Sequence, residues 1–223
     1  MSAELSATAT VEEILSKKSV IELRELARSF YVKGSSKMRK VELISEVKAA
    51  LMIPERLEEL LYVLDSAAWQ TFRKAAETSE PVQLNLTESR WYQILHGLCY
   101  LHFITGNRSL ACNVPPEIRT VYNSLVTDGL IQRKKHYDQL HLYAEAAANL
   151  YGVISQDDFV ALFNSQNEDI TSKEELFDAL IRHIVVDAGY CFWDKYIVDI
   201  GFEDNGFADV SDLLAQIGDK PRY

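Results

Sequence analysis

Apolar side chains recur every three or four residues near the start of the chain, at Ile14, Leu15, Val20, Leu23, Leu26 and Ala27. That period predicts helices with one buried face. Ser19 with Glu22 three residues later predicts a capping box, which starts a helix that ends near Phe30. Gly34 interrupts the period, and a second helix is predicted over residues 39–51, with Ser36 as its cap.

The middle of the chain alternates helical patterns with a predicted hairpin. Pro54 predicts the start of one helix, Asp65 or Ser66 caps the next, and Thr87 caps a short third helix. The β-like runs 99–104 and 109–114 flank Gly106-Asn107, a sequence typical of a hairpin turn. A helix starting at Pro115-Pro116 follows and runs through Leu125. The order of helices and hairpin predicts a winged-helix-like unit.

The last part of the chain is predicted to be mainly helical. A long Ala-rich helix is expected over residues 138–151, and Ser155 and Thr171 carry the signatures of two further helix starts. The aromatic and β-branched residues 190–200 predict strand, and residues 209–217 predict a last helix. The ending at residues 218–223 is consistent with a piece of a longer protein.

These patterns predict a mainly α fold with a minor β component in two hairpins. We expect three parts: a helix–extended-loop–helix module at residues 1–53, a winged-helix-like unit with a β-hairpin at residues 54–130, and an acidic, mainly helical unit with a short β-hairpin at residues 131–223. The chain has 223 residues, enough for two or three small domains. The sequence leaves the oligomeric state open.

Charge is distributed unevenly along the chain. The formal net charge is −10. Residues 1–154 contain 18 basic and 18 acidic side chains, whereas residues 155–223 contain 5 basic and 15 acidic ones. Phosphate would repel the last third, whereas residues 14–50 carry nine Lys or Arg against four Glu. We therefore expect the two ends of the chain to bind different kinds of partner.

The segment Leu15–Val47 resembles the N-terminal module of transcription terminator Rho and, more loosely, SAP modules. The resemblance is carried by Leu23-Arg24-Glu25-Leu26-Ala27-Arg28, Val32-Lys33-Gly34 and Ser36-Lys37-Met38-Arg39-Lys40-Val41-Glu42-Leu43-Ile44. It implies a helix–extended-loop–helix fold and a role in nucleic-acid contact. In Rho this module accompanies an OB-fold that makes most of the contacts to RNA, and this sequence shows no OB-fold pattern.

The candidate nucleic-acid-binding residues lie in the loop of this module. They are Lys33, Gly34, Ser36, Lys37, Arg39 and Lys40. The four cations lie in a stretch without acids, at a loop and a helix N-terminus where backbone N–H groups also favour phosphate. Phe30 and Tyr31 are expected to belong to the core. DNA and RNA are equally open as ligands, and pure protein docking is the alternative.

The acidic last third contains a second candidate surface, for an unknown protein partner. It comprises Trp193, Asp199, Phe202, Glu203 and Asp204, where aromatic residues among acids resemble the rim of an interface. In this alternative the protein is an interaction or inhibitor protein whose acidic third occupies a basic surface of its target. The other interpretation is a solvated hairpin whose aromatic residues face the core. The basic run at residues 133–136 is expected to end or begin a helix on the surface.

Catalytic and metal-binding signatures are absent from the sequence. The five His and three Cys do not fall at zinc spacing, and no phosphate-binding glycine loop or nucleophile elbow is present. We therefore expect a non-catalytic protein with no cofactor and no metal. No apolar run approaches a membrane span and no apolar signal core is visible, so a cytoplasmic location without membrane contact is expected.

A second resemblance covers roughly 70 residues of the C-terminal part. Leu150-Tyr151-Gly152-Val153-Ile154-Ser155, Phe159 and Leu162-Phe163-Asn164 resemble a segment of uncharacterised bacterial proteins, mainly of the Firmicutes type. This resemblance implies a bacterial or phage origin and brings no activity with it. Together with the first, it predicts an accessory protein that binds nucleic acid weakly through its N-terminal module and docks on a protein through the remainder.

Overall fold

A computed structural model describes residues 8–105, 109–186 and 188–217. It divides the chain into two compact units, unit 1 at residues 1–127 and unit 2 at residues 128–223. The described residues form eleven α-helices and two small antiparallel sheets. The prediction of a mainly α fold with short hairpins is confirmed. The predicted Gly106-Asn107 turn and the ending at residues 218–223 lie outside the described residues.

Unit 1 begins with helices and continues with a small sheet. Its helices are α1 Val11–Lys17, α2 Val20–Ser29, α3 Lys40–Leu51, α4 Pro54–Val63, α5 Ser66–Glu77, α6 Trp91–Gly97 and α7 Pro116–Leu125. Its strands are β1 Val82–Leu84, β2 His102–Thr105 and β3 Leu110–Asn113. A 3₁₀ turn covers Ser35–Lys37.

The predicted hairpin of unit 1 is part of a three-stranded sheet. β2 and β3 pair antiparallel, with Phe103 opposite Cys112, and β1 adds to the other side of β3, giving the order β1-β3-β2. Thr87 was predicted to cap α6, and this is wrong, because α6 begins at Trp91, whose N–H donates to Ser89 Oγ at 3.0 Å. Asp65 does cap α5, accepting the Ala68 N–H at 2.8 Å.

One hydrophobic core runs through unit 1. It is continuous from Ala9 through Leu23, Leu43 and Leu57 to Tyr122. Polar contacts also join the early helices to α7, since the Val11 N–H donates to Glu117 Oε2 at 3.1 Å. The proposed boundary at residues 53–54 therefore lies within shared packing, and the three-part division of the chain stays a prediction.

Unit 2 is organised around one long helix. Its helices are α8 Asp128–Tyr151, α9 Gln156–Gln166, α10 Lys173–Val186 and α11 Ala208–Ile217, its strands are β4 Val153–Ser155, β5 Tyr190–Trp193 and β6 Tyr196–Asp199, and a 3₁₀ helix covers Ile200–Asn205. The predicted strand is a hairpin of β5 and β6, and β4 pairs with β6 to complete the sheet.

Two local predictions for unit 2 are wrong. The basic run at residues 133–136 neither ends nor begins a helix but lies inside α8, and Lys134 is buried with its ammonium against Asp138. Thr171 does not cap α10, because that helix begins at Lys173 and Ser172 accepts the Glu175 N–H at 3.2 Å. Ser155 does cap α9, accepting from Asp158 at 3.0 Å.

Ionisable side chains line one face of α8, and we call this group the histidine network: Lys134, Asp138, His141, His183 and Tyr190. The rings of His141 and His183 stack at 3.9 Å with an interplanar angle of 4°. His141 Nδ1 lies 2.8 Å from the Tyr190 hydroxyl, whereas His183 Nε2 is buried and has no hydrogen-bond partner among the described residues. Burial, reinforced by the nearby His141 and Lys134, lowers the pKa of His183 to about 3.

Candidate nucleic-acid interface

Helices α2 and α3 form the frame of the loop predicted to bind nucleic acid. The capping box at the start of α2 is present: Ser19 Oγ accepts the Glu22 N–H at 3.2 Å, and Glu22 Oε2 accepts the Ser19 N–H at 2.7 Å. Hydrogen bonds from the Ser19 side chain and from the Ser19 N–H to the Glu22 carboxylate lower the pKa of Glu22. Leu23 and Ala27 of α2 pack in the same core as Leu43 and Val47 of α3. The loop between the helices therefore has two fixed ends.

A Schellman motif ends helix α2. The Val32 N–H donates to the Ala27 carbonyl at 2.7 Å, and the Tyr31 N–H donates to the Arg28 carbonyl at 2.9 Å. This pattern requires a left-handed residue, and Tyr31 supplies it with φ 54°. Glycine usually occupies that position because a Cβ atom costs about 1 kcal/mol there. Tyr31 is thus a strained residue at the first position of the loop.

Gly34 makes the second sharp bend of the loop. Its φ is 75°, as the sequence predicted, and it leads into the 3₁₀ turn at Ser35–Lys37. Ser36 was predicted to cap α3, and this is wrong, because Ser36 lies exposed inside that turn. Helix α3 begins four residues after Ser36, at Lys40, where the Arg39 N–H donates to Glu42 Oε2 at 2.7 Å.

The four cations of the basic loop, which we define as residues 31–40, are not equivalent. Lys33, Lys37 and Arg39 are exposed and form no ion pair with any described residue. Lys40 is half-buried, and its ammonium donates to the Ser16 carbonyl at 2.8 Å, which ties the start of α3 to α1. Three cations are therefore available to a phosphate backbone without breaking an ion pair with a described residue.

An exposed aromatic ring lies at the start of the basic loop. Phe30 is buried, as predicted, and makes an edge contact with Tyr100 at 6.2 Å between ring centroids. Tyr31 was also predicted to belong to the core, and this is wrong, because it is 87% exposed. The left-handed conformation turns the chain after Phe30. No sequence pattern predicted the left-handed bend at Tyr31, because glycine and not tyrosine usually occupies such a position.

The residues of the second candidate surface lie in unit 2. Trp193 and Phe202 are half-buried and pack against a small core of Val153, Val198 and Val210. Asp199 Oδ1 accepts the Gly201 N–H at 2.8 Å and so starts the 3₁₀ helix.

The two acids at the end of that stretch, Glu203 and Asp204, are exposed. The half-buried aromatic side chains thus contribute to the packing of unit 2, whereas the two acids face solvent. A docking role for this surface stays a prediction.

Comparison with known proteins identifies the same module. The family model of the Rho termination factor N-terminal domain matches residues 15–55, which include α2, the basic loop and α3. This match confirms the resemblance over Leu15–Val47, and the second resemblance, in the C-terminal part, has no support from it. No curated protein and no solved structure matches the chain. Within residues 8–105, 109–186 and 188–217, no helix combines the length and apolar character of a membrane span.

Proposed function

We propose that this protein is a non-catalytic accessory protein of bacterial or phage origin that binds nucleic acid through the basic loop. The observation that carries the proposal is the coincidence of the Rho N-terminal domain match with three exposed cations, Lys33, Lys37 and Arg39, at the loop of that domain. The family match suggests nucleic-acid binding. The exposed charges supply the physical means for it, because Lys and Arg neutralise phosphate and release its counterions.

The binding mode follows from the kind of groups in the loop. Ammonium and guanidinium groups at a loop and a helix start address phosphate and not base edges, so these contacts carry little sequence preference. Three contacts correspond to a slope of about −2 to −3 in log K against log salt. The net charge of −10 opposes binding, so we expect dissociation constants on the order of micromolar or weaker at physiological salt.

Titration of labelled oligonucleotides at low and moderate salt tests the proposal. The test variant is Lys37→Glu with Arg39→Glu. Its matched control is Lys74→Glu with Lys135→Glu, which changes the net charge equally at exposed positions outside the loop. The proposal expects salt-sensitive binding that the loop variant loses and the control variant largely retains. Equal weakening in both variants, or no binding by wild type at low salt, would contradict it.

Protein docking through the rest of the chain is the second part of the proposal. Residues 155–223 carry 15 acidic and 5 basic side chains, and this composition favours a partner with a basic surface. The alternative function, a protein-interaction or inhibitor protein, relies on this part alone. Affinity capture followed by mass spectrometry, with and without nuclease, separates the two. A partner retained after nuclease and lost on replacing Asp199, Glu203 and Asp204 by Ser would favour the alternative.

A further inference from the structure

An apolar groove of about 380 Å³ opens beside the basic loop. Its walls come from the end of α2, from α4 and from the segment after α6, and they include Phe30, Tyr31, Arg56, Leu60, Leu98 and Tyr100. The volume lies within the range of small-ligand pockets. The groove is therefore a concave apolar site that includes Tyr31, the first residue of the basic loop.

Tyr31 gives this groove a feature that packing does not explain. Its ring is 87% exposed, so it contributes little to the hydrophobic core, and its left-handed backbone, with φ 54°, is strained. Glycine would form the same Schellman motif without that cost. A strained residue that presents an aromatic ring to solvent at a concave site is a feature typical of ligand contact.

Tyr100 also belongs to the lining of the groove. Its side chain is 1% exposed, and its hydroxyl is buried without a hydrogen bond to any described residue. The Arg56 guanidinium lies over the Phe30 ring, 5.5 Å from its centroid, and adds a flat cationic surface to the same site.

The charges around the groove determine which part of a ligand can enter it. Glu55 and Glu59 belong to its lining. Their carboxylates repel a phosphate, but carboxylates accept hydrogen bonds from the amino groups of bases. Lys33 and Lys37 stand exposed in the loop that begins at Tyr31. This distribution favours a ligand with a flat, uncharged ring carrying N–H groups and an anionic chain outside.

We infer that the groove holds one unpaired base of a single-stranded nucleic acid whose phosphates contact the basic loop. The exposed ring of Tyr31 stacks on the base. A duplex cannot use this site without unpairing a base, so single strands are preferred. The inference rests on the proposed function, since it names the form of nucleic acid that the same site binds.

The test compares two oligonucleotides of equal charge. One is a fluorescein-labelled single-stranded dodecamer of deoxycytidines, whose bases carry an amino group, and the other has the same length and phosphates but abasic sites in place of the bases. Both are titrated with the full chain at low salt. Wild type should bind the base-bearing strand about five- to tenfold more tightly, the lower end of the effect of one stacked base.

Substitutions at Tyr31 identify the source of this preference. Tyr31→Ala keeps the left-handed Cβ but removes the ring, and it should lose the preference for bases while its affinity for the abasic strand stays unchanged. Tyr31→Phe keeps a stacking surface and should retain the preference. The matched control is Val41→Ala, which removes another exposed apolar side chain, 78% exposed, outside the groove. If Tyr31 had a purely structural role, Tyr31→Ala would change the affinities for the base-bearing strand and the abasic strand by the same factor.

The outcomes distinguish the inference from the proposed function. If wild type binds neither strand, the proposed function fails and the inference fails with it. If wild type binds both strands equally, or Tyr31→Ala keeps the preference for bases, phosphate binding stands and the groove takes no base. In that case a competing peptide with an apolar side chain is the occupant to examine. A preference that follows the Tyr31 ring alone supports the inference.

Discussion

Lysines occupy opposite environments in the two units. In unit 1, Lys33 and Lys37 of the basic loop are exposed and form no ion pair with a described residue, whereas in unit 2 Lys134 is buried against Asp138 beside two stacked imidazoles. An exposed cation stays hydrated and keeps its charge for a partner, but contributes little to folding. A buried one is tied to folding, because the unfolded chain hydrates it fully. Location rather than residue type therefore decides what a charge does here.

The largest expected difference between the units is their response to acid. His183 has a pKa of about 3 in the folded chain, and an unfolded histidine titrates near 6.5. The unfolded state thus binds the proton first as pH falls. Stability from this group is complete above pH ~6.5 and is lost progressively towards pH 3, by about 3 kcal/mol at pH 4.

The groups that face His183 strengthen this effect. His141 and Lys134 from α8 and Arg182 from α10 all disfavour a positive charge on His183. His141 Nδ1 is itself within hydrogen-bond distance of the Tyr190 hydroxyl of β5. In unit 1, burial also lowers the pKa values of His96 and His102, but by less. We therefore expect unit 2 to open first in acid.

Peptide-resolved hydrogen exchange at pH 7 and pH 4, corrected for the intrinsic exchange rate, would measure this difference. His183→Phe keeps the ring stack without the titrating group, so it should remove most of the extra acid sensitivity of unit 2. Finding the same loss of protection in the variant and in wild type would assign acid sensitivity to other groups.

The next largest effect concerns the two kinds of lysine. Lys134→Ala removes a buried aliphatic stem and leaves Asp138 without this cation, so we expect a loss of about 2 kcal/mol of unfolding free energy. Lys37→Ala should change the unfolding free energy by less than about 0.5 kcal/mol. Urea denaturation of both variants gives the comparison. Similar losses of unfolding free energy in the two variants would show that the exposure of a lysine does not determine its contribution to stability.

A smaller effect is expected at Gly34. Apart from its chain neighbours, no described residue has an atom within 4 Å of a Cβ atom built on Gly34, so Gly34→Ala introduces no clash with them and tests the left-handed φ of 75°. We expect a loss of about 1 kcal/mol of unfolding free energy. Gly97→Ala is the control, since its site is equally open, lies in α6 and has no positive φ. A larger loss at Gly97 would contradict this account of the loop.

The smallest expected effect has the opposite sign. Tyr31→Gly relieves the strained backbone and should raise the unfolding free energy by about 0.5 kcal/mol, measured by thermal unfolding. Cys99 ends α6 in a similar motif with φ 64°, but it is fully buried, so Cys99→Gly should destabilise the chain through lost packing. If Tyr31→Gly also destabilises, the ring contributes to folding, and its strain needs no ligand to explain it.

The sequence predicted the local features of both units. The capping boxes and caps at Ser19, Asp65 and Ser155 are present, and so is the left-handed Gly34. Each of these features depends on groups within one helical turn, where a side-chain oxygen and a backbone N–H are close in sequence. The predictions for Ser36, Thr87 and Thr171 were wrong for a related reason. Several polar residues in a row can cap, and packing decides which one ends the loop.

Only the tertiary structure decided the composition of the candidate site. The sequence placed four cations in one loop, but the fold uses Lys40 to hold Ser16 and leaves three exposed. The groove joins residues 29–31 to α4 and to Tyr100, which are distant in sequence. Helical period and caps report on neighbours in the chain, whereas the exposure of Tyr31 and the unpaired Tyr100 hydroxyl follow from how separate helices pack.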